Sequence, residues 1–160
     1  MPNSEKVQLE VLIASDHGGY ELKEYVKERI TKYKWIDLGT ESKKSVDYPD
    51  YAAKVAKEIQ ANPSKRGILI CGTGIGMSIA ANRFKGIRAA VLTDSFTAKM
   101  SRMHNDANVL CLGARVIGTE QAIDIIETWL RTPFAGDSGN PEGDRHRKRL
   151  EKIDGLTKTK

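Results

Sequence analysis

Short apolar runs that alternate with helix-periodic segments constrain this chain more than any other feature. Val11-Leu12-Ile13-Ala14 ends in Ser15-Asp16-His17-Gly18-Gly19, after which Leu22, Tyr25, Val26 and Ile30 share one helix face. Trp35-Ile36-Asp37-Leu38 closes at Gly39, and Pro49 opens a helix whose stripe is Ala52, Val55, Ala56 and Ile59. Asn62-Pro63 stops it. Gly67-Ile68-Leu69-Ile70-Cys71 is continuously apolar, as a strand covered on both faces is. Gly72-Thr73-Gly74-Ile75-Gly76 turns that strand into a helix expected at about 77–84. A fourth strand is expected at 87–92, before a helix capped by Thr93-Asp94 that carries Phe96, Met100 and Met103. Val109-Leu110-Cys111-Leu112 is the fifth, and Thr119 is expected to cap a helix with Ile123, Ile126, Trp129 and Leu130 inward. Successive β-α units of this kind predict an α/β protein: a three-layer α/β/α, Rossmann-like fold on a five-stranded parallel sheet.

The 160 residues fit one domain. Its core is expected at about 9–132, followed by a Gly/Pro/Asp/Ser-rich loop at 133–143. Beyond it lies an extra, basic C-terminal helix at 144–154, held away from the body, and a disordered tail at 155–160. No apolar stretch approaches the ~20 residues of a spanning helix, and MPNSEKVQLE lacks a secretory pattern. The two cysteines make no disulfide framework, so a soluble cytoplasmic protein with no membrane partner is expected.

In open parallel sheets, ligands bind beyond the carboxyl ends of the strands. Asp16, His17, Cys71, the glycine turn, Asp94 and Arg115 follow strands, and His104-Asn105 ends a helix. A glycine turn at a helix start presents backbone N–H groups to an anionic oxygen. Its GxGxG spacing misses the dinucleotide fingerprint by one residue, although Asp94 keeps a nucleotide-binding reading open; no Walker lysine follows. Cys71, just before that helix, suits a thiolate base or nucleophile, with a buried inert cysteine as the alternative, whereas Cys111 reads as inert core. The three histidines, His17, His104 and His146, are too scattered for a metal site, so none is expected. Arg145 and Arg149, four apart, put two guanidinium groups on one helix face, an arrangement that suits a phosphate dianion and equally a solvated basic face. Arg147, Lys148 and Lys152 read as a solvated basic face. A nucleic-acid reading of that helix is also open, but aromatic residues are not interleaved with its charges.

Taken in order, Ser15-Asp16-His17-Gly18-Gly19, Asp47-Tyr48-Pro49, the stretch 67–82, Gly86-Ile87-Arg88-Ala89, Ser101-Arg102-Met103-His104-Asn105-Asp106-Ala107-Asn108 and Arg145-His146-Arg147-Lys148-Arg149 closely resemble the B-type ribose-5-phosphate isomerases, within the B-type sugar-phosphate isomerases. The resemblance spans about 11–153. It implies an aldose–ketose isomerase of the non-oxidative pentose phosphate pathway that interconverts ribose 5-phosphate and ribulose 5-phosphate through an enediolate. By the same resemblance Cys71 is the proton acceptor and His104 opens the furanose ring, with Thr73 able to relay a proton. Asp16, His17, Gly72, Thr73, Gly74, Ile75, Gly76, Asn105, Arg115, Arg145 and Arg149 are substrate contacts, the arginines serving mainly the phosphate. No metal, nucleotide or other cofactor is implied, and no nucleic-acid partner. The family implies a homodimer or a dimer of dimers with sites shared between subunits. One branch of it carries a glutamate base where this chain has Met77, so the cysteine branch is implied. The 137–143 loop is longer than the usual connection. Related enzymes act on allose and galactose 6-phosphates, the latter dividing its duties between two different subunits.

Overall fold

A computed structural model describes residues 8–156. Its elements are β1 (Glu10–Ser15), α1 (Tyr20–Arg29), β2 (Lys34–Asp37), α2 (Tyr48–Ala61), β3 (Arg66–Cys71), α3 (Ile75–Ala81), β4 (Ala89–Val91), α4 (Ser95–Asn105), β5 (Val109–Gly113) and α5 (Thr119–Arg131). A 3-10 turn, Ala135–Ser138, then leads to α6 (Pro141–Gly155). The five strands pair in the order β2-β1-β3-β5-β4, all parallel. The chain moves outward from β1 to β2 and returns on the other side as β3. The carboxyl ends of β1 and β3 therefore flank the point where the winding reverses, the position at which such sheets bind ligands.

Two apolar layers hold the sheet. On one face Val11, Ile13, Ile68, Ile70, Leu110 and Leu112 pack on α1, α4 and α5. On the other, Leu12, Ala14, Leu69, Cys71, Val109 and Cys111 pack on α2 and α3. Residues alternate between the layers because side chains on a strand alternate faces. The stripe Ala52, Val55, Ala56 and Ile59 is buried as its spacing predicts.

Several boundaries differ from the sequence expectation. Helix α3 begins at Ile75, because Gly74, at φ +79°, caps it in the left-handed region. It ends at Ala81, where the Asn82 amide pairs with both the N–H and the C=O of Ala89. Strand β4 is shortened at its start, since the Arg88 N–H is bound by the Asn108 side chain, at 2.7 Å. Gly118, not Thr119, caps α5, and Ala122, Ile125, Ile126, Trp129 and Leu130 are its buried apolar residues, with Ile123 only half-buried. Asp94 caps α4 as expected, accepting from Thr97 N–H at 2.7 Å, yet Phe96 is exposed.

The C-terminal segment departs most. The expected loop at 133–143 contains the 3-10 turn, and α6 starts at Pro141 because the Asn140 side chain accepts from Gly143 N–H at 2.8 Å. The helix is not held away from the body. Gly143, His146 and Leu150 are buried, and Arg147 donates to Gly136 C=O at 2.6 Å while its guanidinium covers the Phe134 ring. Arg147 thus anchors the helix instead of merely solvating it. Of the expected disordered tail, Gly155 is the last helical residue, Leu156 its cap, and 157–160 lie outside the described residues.

Candidate active site

The carboxyl edge gathers three turns. After β1, Asp16 is buried, and its Oδ1 accepts from Gly19 N–H at 3.0 Å, closing the turn into α1. Gly19 has no alternative: a Cβ there would lie 2.3 Å from the Ile70 carbonyl oxygen. Asp16 Oδ1 and Arg115 Nη2 flank Gly18, 3.3 and 3.7 Å from where its Cβ would be. His17 Nδ1 accepts from Val46 N–H at 3.2 Å, which in a neutral ring puts the proton on Nε2.

After β3, Cys71 is buried and its Sγ accepts from Gly74 N–H at 3.1 Å, which directs the sulfur across the turn. Thr73 is exposed, and its Oγ1 accepts from Ile75 N–H at 3.3 Å. The ring of Tyr48 fills the space beside Gly76, 2.6 Å from a notional Cβ. After β5, the N–H groups of Ala114 and Arg115 bond to the carbonyls of Cys71 and Gly72 at 2.9 and 3.0 Å. That pairing lays the exposed Arg115 against the glycine turn, its Nη1 3.1 Å from where a Gly72 Cβ would be. Asp16, His17, Cys71, Gly72–Gly76 and Arg115 therefore form one cluster. Cys111 lies behind it, wholly buried, and burial, with Cys71 close by, pushes its thiol well above the ordinary range.

His104 and Asn105 are not in that cluster. A helix following a strand of a parallel sheet runs back, so the carboxyl end of α4 lies at the amino edge. Asp106 caps it at φ +44°, held by Arg102 and Arg88 at 2.8 and 3.1 Å. Two residues later Asn108 C=O accepts from Gly67 N–H, near the start of β3. Cys71 is four residues up that strand, about 13 Å at ~3.3 Å per residue. His104 thus stands at the sheet edge opposite His17 and Cys71. Arg145 and Arg149 lie exposed on α6 at this same amino edge, on either side of His146, whose ring stacks on His104 with centroids 4.4 Å apart.

Sequence reasoning assigned no part to Tyr48, although Gly76 signals a close neighbour, nor to His146, which stands inside a charged run. Among the described residues no group of three or more His, Cys, Asp or Glu is placed to hold a metal ion. No helix among them is long and apolar enough to cross a membrane.

Fold and cluster together define a Rossmann-like α/β protein with a buried cysteine and a glycine turn at its ligand-facing edge. Comparison with known sequences narrows this: the model of the family described as Ribose/Galactose Isomerase matches residues 11–153. The chain belongs to that family. It is 43% identical to ribose-5-phosphate isomerase B of Escherichia coli, over 89% of this chain and 93% of that protein. The structure of Clostridium thermocellum ribose-5-phosphate isomerase B superposes with a TM-score of 0.85 at 49% identity, covering 94% of this chain and 98% of that one. The Mycoplasma genitalium ribose-5-phosphate isomerase B, solved with bound ribulose 5-phosphate, gives a TM-score of 0.85 at 37% identity, covering 95% and 98%.

Proposed function

We propose that the protein interconverts ribose 5-phosphate and ribulose 5-phosphate, with Cys71 as the base that moves a proton between C2 and C1. The observation that carries this reading is the placement of the Cys71 sulfur at the winding reversal, bonded to Gly74 N–H at the head of a glycine turn. Proton transfer α to a carbonyl leaves an enediolate, and backbone donors already fixed at its oxygens cost no reorganisation when charge develops. Donors of the turn 72–76 serve that role, and the Thr73 hydroxyl relays a proton between the two oxygens. Asp16 orders the sugar hydroxyls. The substrate is mostly a closed furanose, so a second group must move a proton between the anomeric hydroxyl and the ring oxygen, a task suited to the imidazole of His104. His17, Arg115, Arg145 and Arg149 hold the phosphate, and Asn105 a sugar oxygen; gripping the non-reacting end sets C1 and C2 over the sulfur.

His104 and Cys71 at opposite sheet edges do not meet within one chain. The reading therefore requires a second copy, whose amino edge supplies His104, Asn105, Arg145 and Arg149. The carboxyl edge supports this with an exposed apolar rim: Tyr48, Ile75, Ile79, Phe96 and Val116 are 40–71% accessible.

Cys71→Ala tests the assignment. Turnover is expected to fall ~10²-fold or more while sugar-phosphate affinity and thermal unfolding stay near wild type. A variant retaining about a tenth of the wild-type rate refutes the base assignment.

A further inference from the structure

His146 stands out among the groups the proposed chemistry leaves unused. It is 5% exposed, in a helix whose other charged residues face outward, and its ring lies flat on that of His104, centroids 4.4 Å apart and planes 11° from parallel. The pair borders a cavity of about 530 Å³ lined in part by Met103, Phe134, Asn140 and Glu142.

The contact is built, not incidental. Gly143 admits the first turn of α6 against the 3-10 turn, since a Cβ there would lie 2.2 Å from the Ala135 carbonyl oxygen. Arg147 fastens the next turn to Gly136 C=O and to Asp137, at 2.6 and 2.9 Å, and Leu150 is buried one turn further on. These three seats leave His146 little freedom. Burial first, then His104, Arg145 and Arg149, hold its pKa below that of an ordinary imidazole, with Glu142 acting in the opposite sense.

We propose that His146 is a positioning residue for His104, its ring face fixing the plane in which the His104 imidazole meets the substrate. The proposal rests on the reading of His104 as the ring-opening group. A histidine at a helix end turns freely about its terminal torsion, which is broad and nearly two-fold. A hydrogen bond would stop that rotation at the cost of a ring nitrogen. A stack stops it and uses neither nitrogen, so both remain for moving a proton between two substrate oxygens.

His146→Leu and His146→Phe both fill the buried space, and only the second keeps a flat face. With ribose 5-phosphate the leucine variant is expected to turn over about tenfold more slowly, and the phenylalanine variant within about twofold of wild type. Solvent exchange of the C1 proton of ribulose 5-phosphate, which needs no ring opening, is expected to be unchanged in both. The proposal is overturned by a leucine variant that keeps its ribose 5-phosphate turnover or loses both rates together. A phenylalanine variant as slow as the leucine one also overturns it. His104→Ala is the reference. If the two rates separate there but not in His146→Leu, the stack alone is wrong. If His104→Ala processes ribose 5-phosphate at the wild-type rate, the ring-opening reading fails and takes the proposal with it. A check without variants is the proton spectrum of the wild-type enzyme. The ring C–H signals of His104 are expected upfield, under the His146 ring current, and signals at free-imidazole positions overturn the stack.

Discussion

Cys71 and Cys111 lie on neighbouring strands and face the same layer, yet their surroundings set them apart. Cys111 is enclosed by apolar side chains, and burial disfavours its thiolate. Cys71 ends its strand and meets a backbone N–H. Cys111→Ser is therefore expected to cost stability, about 1–3 kcal/mol for a hydroxyl buried among apolar groups, with turnover per folded molecule unchanged. Urea unfolding beside a rate assay checks it; a rate loss matching that of Cys71→Ala would show that both thiols serve the chemistry. The contrast was legible in the sequence, because a strand end followed by glycines differs visibly from a strand interior. His146 was not legible. Arg145-His146-Arg147 carries no periodic apolar signal around the histidine, and the stack exists only once α6 docks.

At the level of elements, α1 is tied to the second β-α connection by an ion pair between a buried lysine and a carboxylate at the surface. Lys23 is 1% exposed, and its Nζ donates to both Asp37 oxygens at 2.7 and 2.8 Å and to Thr40 C=O at 2.7 Å. Helical periodicity marks Leu22 and Val26 as inward but says nothing of a lysine between them, since its partner is a strand residue known only after the sheet forms. Burial pushes the Asp37 carboxyl up, but hydrogen bonds from Lys23, Lys27 and Gly39 N–H outweigh it and hold the group below its usual range. Asp37→Asn leaves the buried Lys23 ammonium with only the more distant Glu24 carboxylate, 3.5 Å away, and the Thr40 carbonyl, and is expected to destabilise by about 1–2 kcal/mol at neutral pH. A depressed carboxyl contributes fully above the unfolded value, near ~4, and loses that contribution as pH falls through the lower folded value. The stability gap between wild type and variant is therefore expected to narrow below pH ~4. Guanidinium unfolding at stepped pH measures it; a gap that widens on acidification contradicts the assignment. Helix α6 teaches the same lesson. A basic helix was expected there from the sequence, whereas its start and its seat depend on the Asn140 cap and the 3-10 turn beneath it.

For the whole molecule, the alternation of strands and helices was enough to derive the layered sheet, and the family resemblance pointed to shared sites. The edge on which His104 falls follows from parallel β-α geometry, because a helix after a strand returns to the amino edge. The proposed division of the site has a direct test. A hybrid of one Cys71→Ala chain and one His104→Ala chain places both defects in one composite site and leaves the other intact. About half of wild-type activity is expected from it, while each parent is nearly inactive. A hybrid no more active than its parents would place both residues in the site of a single chain.

The opposed edges carry a consequence beyond catalysis. On this reading a solitary chain holds two incomplete halves and processes nothing, so turnover per chain declines on dilution below the dissociation constant of the pair. The amount synthesised then sets the fraction that works as well as the total. A cell making few copies receives disproportionately little flux, and doubling a scarce supply more than doubles the yield.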